Sequence, residues 1–226
     1  MKKINIDAVY ILHHPKLIDR KKFMLNQLIE LGIENEVTWV EDFGPEEIKE
    51  EYDLFVNKPI EDTNTLIEQL MGNYINEYHK VSIGNYSLCL KHKYCYQDQI
   101  KNKFDNILIL EDDAVLGLDF IENFNNAMDE FINFEKHLEF LVIGGFRSWK
   151  SNAISENKNV FYEKNLKTRC TQAQVCNINF SEKALPYMEK INNPIDFKLN
   201  EIFQLENISV AWFEPSLDQF GFKTEV

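Results

Sequence analysis

The chain has 226 residues, 44% apolar and 27% charged, which allows one substantial buried core and excludes a disordered or fibrous polypeptide. A net charge of −13 with no strong basic patch disfavours nucleic-acid backbones and anionic membrane surfaces, so no nucleic-acid partner is expected. Met1–Asp7 carries positive charge without the apolar stretch of a signal peptide, and no run approaches a membrane span; the expectation is a soluble, cytoplasmic or otherwise intracellular protein with no transmembrane segment.

In chain order, Ala8–Leu12 reads as a short buried strand, followed over 16–31 by Leu17, Met24, Leu28 and Leu31 at helical spacing. Gly32 supplies the stop signal. Glu36–Val40 is a second strand, closing at Glu41-Asp42 before the Gly44-Pro45 break, so the opening is a βαβ unit. Residues 45–82 are acidic and poor in core signals, and they read as an insertion or lid. A helix is expected over 86–100, where Leu88 and Cys95 flank Lys91 while Tyr86, Leu90 and Tyr94 form an adjoining row.

Ile107-Leu108-Ile109-Leu110 then runs directly into Glu111-Asp112-Asp113. Such an apolar run reads as a strand buried on both faces of a helix-covered sheet. Ligands of open α/β sheets bind beyond the carboxyl ends of strands, where these three acids lie. Crowded carboxylates repel one another, and carboxylate oxygen suits Mn²⁺ or Mg²⁺ with substrate phosphates completing the shell. Phe120, Ile121, Phe124, Met128, Phe131 and Ile132 describe the next helix, and Leu138–Ile143 a strand ending at Gly144-Gly145. Beyond these, Asn159–Tyr162 and Cys170–Ile178 read as strands, 181–191 and 197–206 as helices, and Ile208–Phe213 as the last strand. One domain over 1–226, an α/β mixed sheet flanked by helices, accommodates this order.

Cys89, Cys95, Cys170 and Cys176 lack zinc-knuckle spacing, and six strand residues place Cys170 and Cys176 roughly 20 Å apart, so reduced structural thiols are expected. Neither a Gly-x-x-x-x-Gly-Lys-Ser/Thr loop nor a Gly-x-Gly-x-x-Gly fingerprint is present, which removes the commonest phosphate cradles.

Five blocks resemble glycosyltransferase family 25, which includes lipooligosaccharide galactosyltransferases and enzymes that galactosylate collagen hydroxylysine. They are Val9–Leu12 with Asp19-Arg20, Ser87–His92, Ile109–Leu116 with its Leu-Glu-Asp-Asp core, Pro194–Leu199, and Glu214–Gln219. His13-His14-Pro15 stands where the family commonly has an Asn-Leu-Asp-type turn, and Lys91 where many members have serine. The resemblance implies a GT-A-type, Rossmann-like fold, a nucleotide-diphosphate sugar donor, usually Mn²⁺ or Mg²⁺, and a saccharide or hydroxylysine-type acceptor. UDP-galactose or UDP-glucose and a β-linked product are favoured by the same similarity.

On this reading Asp113 is the preferred metal ligand and Glu111 the second, because side chains two apart on an extended segment point the same way. Asp112 then faces sideways, toward the ribose or an outer-shell donor. The alternative is that one of these acids caps the following helix. Donor-binding candidates also include Leu12 and His13 at the end of the first strand, Arg20, Glu41, Asp42, Lys91 and His92. For Arg20 a surface ion pair is an alternative, and for His92 a packed core position. Asp196 is the candidate general base for an inverting transfer, with Glu201 second and a helix-cap role for Asp196 as the alternative. Two other readings remain open: a non-catalytic glycosyltransferase-like binding module, and another metal-dependent phosphate-handling α/β enzyme.

Overall fold

The structure is a computed structural model that describes residues 3–56, 81–146, 152–164 and 167–219. Strands β1 (Ala8–Leu12), β2 (Val37–Val40) and β3 (Asn106–Glu111) are mutually parallel, with β1 in the middle. Next to β3 lie β8 (Arg169–Asn177), antiparallel, then β5 (Phe140–Phe146) and β9 (Val210–Gln219), which are parallel to each other. Strands β7 (Val160–Tyr162) and β6 (Ser155–Glu156) complete the order β2-β1-β3-β8-β5-β9-β7-β6. The result is a mixed, Rossmann-like sheet flanked by helices.

Strict alternation along β3 divides the core. Ile107 and Ile109 face a layer built from α3 (Ile83–Asn102), α5 (Ile178–Met188) and α6 (Ile195–Leu205), while Leu108 and Leu110 face α1 (Ile18–Leu31) and α4 (Phe120–Ile132). All four are fully buried, as a continuous apolar run between two helical layers demands. Helix α1 stops where Gly32 adopts φ 71°, a left-handed cap that glycine enters without steric cost. At Gly144, a Cβ would stand 2.9 Å from Gln172 Cγ and 3.2 Å from Ala173 Cβ, so glycine permits the close β5–β8 approach at an irregular register.

Several boundaries differ from the sequence expectation. Helix α5 starts at Ile178, earlier than expected, because Asn177 ends β8 and caps the helix by accepting from Phe180 N. Strand β9 continues past Phe213 to Gln219, with a register shift between Trp212 and Leu217. The acidic stretch after Pro45 contains a helix, α2 (Lys49–Val56); the rest of the expected lid, residues 57–80, lies outside the described residues. Cys89, Cys95 and Cys176 are buried free thiols, and the side chain of Cys170 lies outside the described residues. No described helix is long and apolar enough to cross a membrane.

This topology gathers the carboxyl ends of β1, β2, β3, β5 and β9 at one edge. Because β8 runs the other way, its first residues arrive at the same edge.

Candidate functional site

Strand β3 ends at Glu111, in register with Leu12 of β1, and Asp112 and Asp113 form the turn into β4 (Ala114–Val115). Strand β4 pairs antiparallel with the end of β9, Val115 opposite Asp218. Gln27 of α1 clamps this return: its Nε2 donates to Ala114 O at 3.0 Å and its Oε1 accepts from Leu116 N at 2.7 Å. The acidic turn is therefore held on both flanks by backbone-directed bonds.

The three carboxylates do not alternate as an extended strand would make them. The strand ends before Asp112, and Asp112 and Asp113 converge on one guanidinium: Arg20 Nη1 lies 3.1 Å from Asp112 Oδ1 and 2.9 Å from Asp113 Oδ2. The expected grouping of Glu111 with Asp113 thus gives way to one of Asp112 with Asp113, which share Arg20. His13 Nδ1 is 2.7 Å from Asp112 Oδ2; a carboxylate only accepts, so Nδ1 carries the hydrogen. Glu111 turns instead to β8, where the Thr171 hydroxyl donates to its Oε1. Burial, with Asp113 and Asp112 adding repulsion, pushes the Glu111 carboxyl up to about 7, against the opposing Thr171 bond and the Arg20 charge. None of these acids caps a helix, since α4 begins only at Phe120.

A second wall comes from β2 and α3. Lys91, buried at 4% exposure, directs its ammonium to the carbonyls of Asp42 and Val40, the latter at 3.3 Å. One turn earlier, the Ser87 hydroxyl donates to Phe43 O at 2.5 Å. Two α3 side chains thus hold three carbonyls of the segment carrying Glu41 and Asp42, and Phe43 sits there at φ 65°. Desolvation lowers the Lys91 pKa, with Glu47, Asp42, Glu41 and Asp112 opposing the shift. Lys21 pairs with Glu41 at 2.6 Å and lies over the Trp39 ring, which His13 meets nearly perpendicularly.

The structure therefore brings together Glu111, Asp112, Asp113, Arg20 and His13, with Glu41 and Asp42 at the adjoining strand end and Lys91 bracing it from α3. Leu12 is buried and contributes backbone to this edge. His92 is not part of the cluster. It is sealed in the core beside Tyr96, its Nδ1 3.0 Å from Gln174 Nε2, and burial depresses its pKa to about 3, so it is a neutral packing residue. The other α3 candidate, Lys91, does reach the wall of the site, with Ser87 one turn away.

Asp196 occupies the first turn of α6 and accepts from Phe197 N at 3.0 Å, while Glu201 is committed to the buried Lys198 at 2.9 Å. Among the described residues, neither hydrogen-bonds or ion-pairs with the acidic cluster. Helix α6 is nevertheless fastened near that edge, because Asn200 exchanges two 2.9 Å bonds with the backbone of Thr168, just before β8. Gln27, Ser87 and Thr171 were not legible as site residues. The only signal for Gln27 was its place two turns beyond Arg20 on the same helix.

The residues match glycosyltransferase family 25 (LPS biosynthesis protein) over 7–200, a span that includes the acidic turn, Arg20 and Lys91. The chain belongs to glycosyltransferase family 25. It is accordingly a glycosyltransferase, an enzyme with a sugar donor and an acceptor. A search of curated proteins found no match to it. Among solved structures it resembles a glycosyltransferase involved in glycosylation of the major capsid of PBCV-1, at 12% identity and TM-score 0.45, over 92% of this chain and 82% of that one. It also resembles mannose-1-phosphate geranyltransferase from Thermus thermophilus, at 8% identity and TM-score 0.44, over 96% and 75% of the two chains. A third likeness is apo UDP-glucose pyrophosphorylase, at 9% identity and TM-score 0.43, over 94% and 92%. At these scores the likenesses carry no weight for function, which rests on the family and the site.

Among the described residues, no three His, Cys, Asp or Glu side chains converge as a ready metal cage. The donor set fits a hard divalent cation of the kind that takes one or two carboxylates and completes its shell with substrate phosphates and water. Asp113, Asp112 and Glu111 would supply those carboxylates.

Proposed function

We propose that this family 25 enzyme transfers a hexose, galactose or glucose, from a UDP-sugar to a hydroxyl of a saccharide or hydroxylysine-type acceptor, with Mn²⁺ or Mg²⁺ and with inversion. The observation that carries the reading is the Glu111-Asp112-Asp113 turn at the end of the buried central strand, fixed by Arg20, His13, Thr171 and Gln27. When bound, the cation neutralises the diphosphate and stabilises it as a leaving group.

The chain's own groups divide the remaining work. Arg20 presents a guanidinium suited to paired phosphate oxygens. Glu41 and Asp42, on the segment braced by Lys91 and Ser87, supply acceptors for ribose or base donors at the end of β2. Asp196 takes the proton from the acceptor hydroxyl as its oxygen attacks the anomeric carbon; Glu201, paired with Lys198, must first part from an ammonium to do so.

A panel of nucleotide sugars, each incubated with enzyme and Mn²⁺ or with chelator, tests the reading through slow donor hydrolysis with water as acceptor. UDP-galactose or UDP-glucose should be consumed in the Mn²⁺ arm. Hydrolysis that is equal in chelator overturns the metal requirement, and consumption of only a non-uridine donor overturns the nucleotide.

A further inference from the structure

We propose that Arg20 is a resident counter-cation of the acidic turn, which it leaves for the donor diphosphate when nucleotide binds. This rests on the reading of the site as a metal and nucleoside-diphosphate site. Arg20 Nη1 lies 3.1 Å from Asp112 Oδ1 and 2.9 Å from Asp113 Oδ2, so one positive side chain serves both carboxylates. The Arg20 side chain keeps 17% of its surface exposed, while those of Asp112 and Asp113 keep 5% and 4%. The Arg20 side chain is therefore the more open member of the cluster, and the carboxylates form its floor.

Asp112 retains His13 Nδ1 at 2.7 Å when Arg20 moves, so its orientation survives the exchange. The same movement takes Nη1 away from the Asp113 Oδ2. A guanidinium fork matches two phosphate oxygens better than it matches one oxygen from each of two aspartates, which gives the movement a destination. Arg20 thereby suppresses cation binding in the nucleotide-free enzyme and links it to nucleotide arrival.

Calorimetry of Mn²⁺ binding to wild type, Arg20→Gln and Arg20→Lys, with and without UDP, tests this. Arg20 must give up the Asp113 Oδ2 before a cation takes it, and its charge repels an incoming divalent ion, so removing it should strengthen nucleotide-free Mn²⁺ binding by about tenfold or more. Arg20→Gln should also weaken UDP binding at saturating Mn²⁺ by about tenfold, with Arg20→Lys in between. Unchanged nucleotide-free Mn²⁺ affinity in Arg20→Gln, while Mn²⁺ still strengthens UDP binding to wild type, overturns the exchange and leaves the site reading intact. Absence of any Mn²⁺ effect on UDP binding to wild type overturns both.

If the variants do not fold, wild type answers alone. The chain has three arginines, Arg20, Arg147 and Arg169, so guanidinium NMR signals can be assigned. The Arg20 signal should move on adding UDP with Mg²⁺ and stay put with Mg²⁺ alone; a signal that stays put in both overturns the proposal.

Discussion

Glu111→Gln isolates the cost of gathering three acids at one turn. Burial raises the Glu111 carboxyl from its ordinary 4.5 to about 7, so between those values the folded chain holds a proton that the unfolded chain has released. Native binding of more protons makes stability fall as pH rises across this window. At about 1.4 kcal/mol per pKa unit, the difference corresponds to at most about 3.5 kcal/mol by pH 8. Glu111 keeps a partly open face, and solvent reduces the expected loss to about 1–2 kcal/mol. Glutamine is neutral throughout and keeps an oxygen to accept from Thr171. Urea unfolding in chelator should therefore find the variant equal to wild type near pH 4.5 and more stable by that amount at pH 8. For a chain of this length the gain is about 2–8 °C in Tm. A gap of the same size at both pH values, or none at pH 8, refutes the reasoning.

Two further substitutions separate bracing from chemistry. Lys91→Met keeps the bulk of a buried side chain but leaves the Val40 and Asp42 carbonyls without their ammonium, so we expect a loss of about 1–3 kcal/mol in urea unfolding at pH 7, together with weaker UDP binding by calorimetry. Because burial lowers the Lys91 pKa, the unfolded chain binds the extra proton, and wild type should gain stability as pH rises toward 10.5 while Lys91→Met lacks that rise. Asp196→Asn preserves the bond accepted from Phe197 N, so folding and donor binding should be unchanged while transfer falls by about 10²–10⁴-fold; near-normal turnover assigns Asp196 to the helix turn alone.

Elements set by local periodicity were legible, and those set by distant partners were not. The Ile107–Leu110 run, the α4 stripe and the Gly32 stop each carry their signal within a few residues. By contrast, the last strand was expected to end at Phe213, yet β9 runs on through Pro215, where the register shift beside Gly144 accommodates a residue without an amide hydrogen. The two-residue β4 exists because β9 extends far enough to pair with it, a condition set about a hundred residues away. At the site, the acids were visible by composition. Arg20 and His13 are candidates from sequence, but which acid each meets, and the meeting of Thr171 with Glu111, span 60 to 99 residues and depend on the parallel β1–β3 pairing and the antiparallel β8.

Those partners change the meaning of the acidic run. Three adjacent carboxylates demand compensation, and from sequence alone a bound cation is the economical answer. The fold supplies part of it internally, with one guanidinium shared by Asp112 and Asp113 and one imidazole N–H on Asp112. Among the described residues, the direct donor to Glu111 is the Thr171 hydroxyl, and the unmet repulsion adds to burial in raising its pKa. The deficit is thus localised on the residue where the rigid strand ends and the turn begins. A cation arriving with a diphosphate would find Asp112 already oriented, Asp113 released by Arg20, and Glu111 ready to give up its proton. On this account the cluster is stable enough to fold without ligand because it is nearly, and not completely, neutralised.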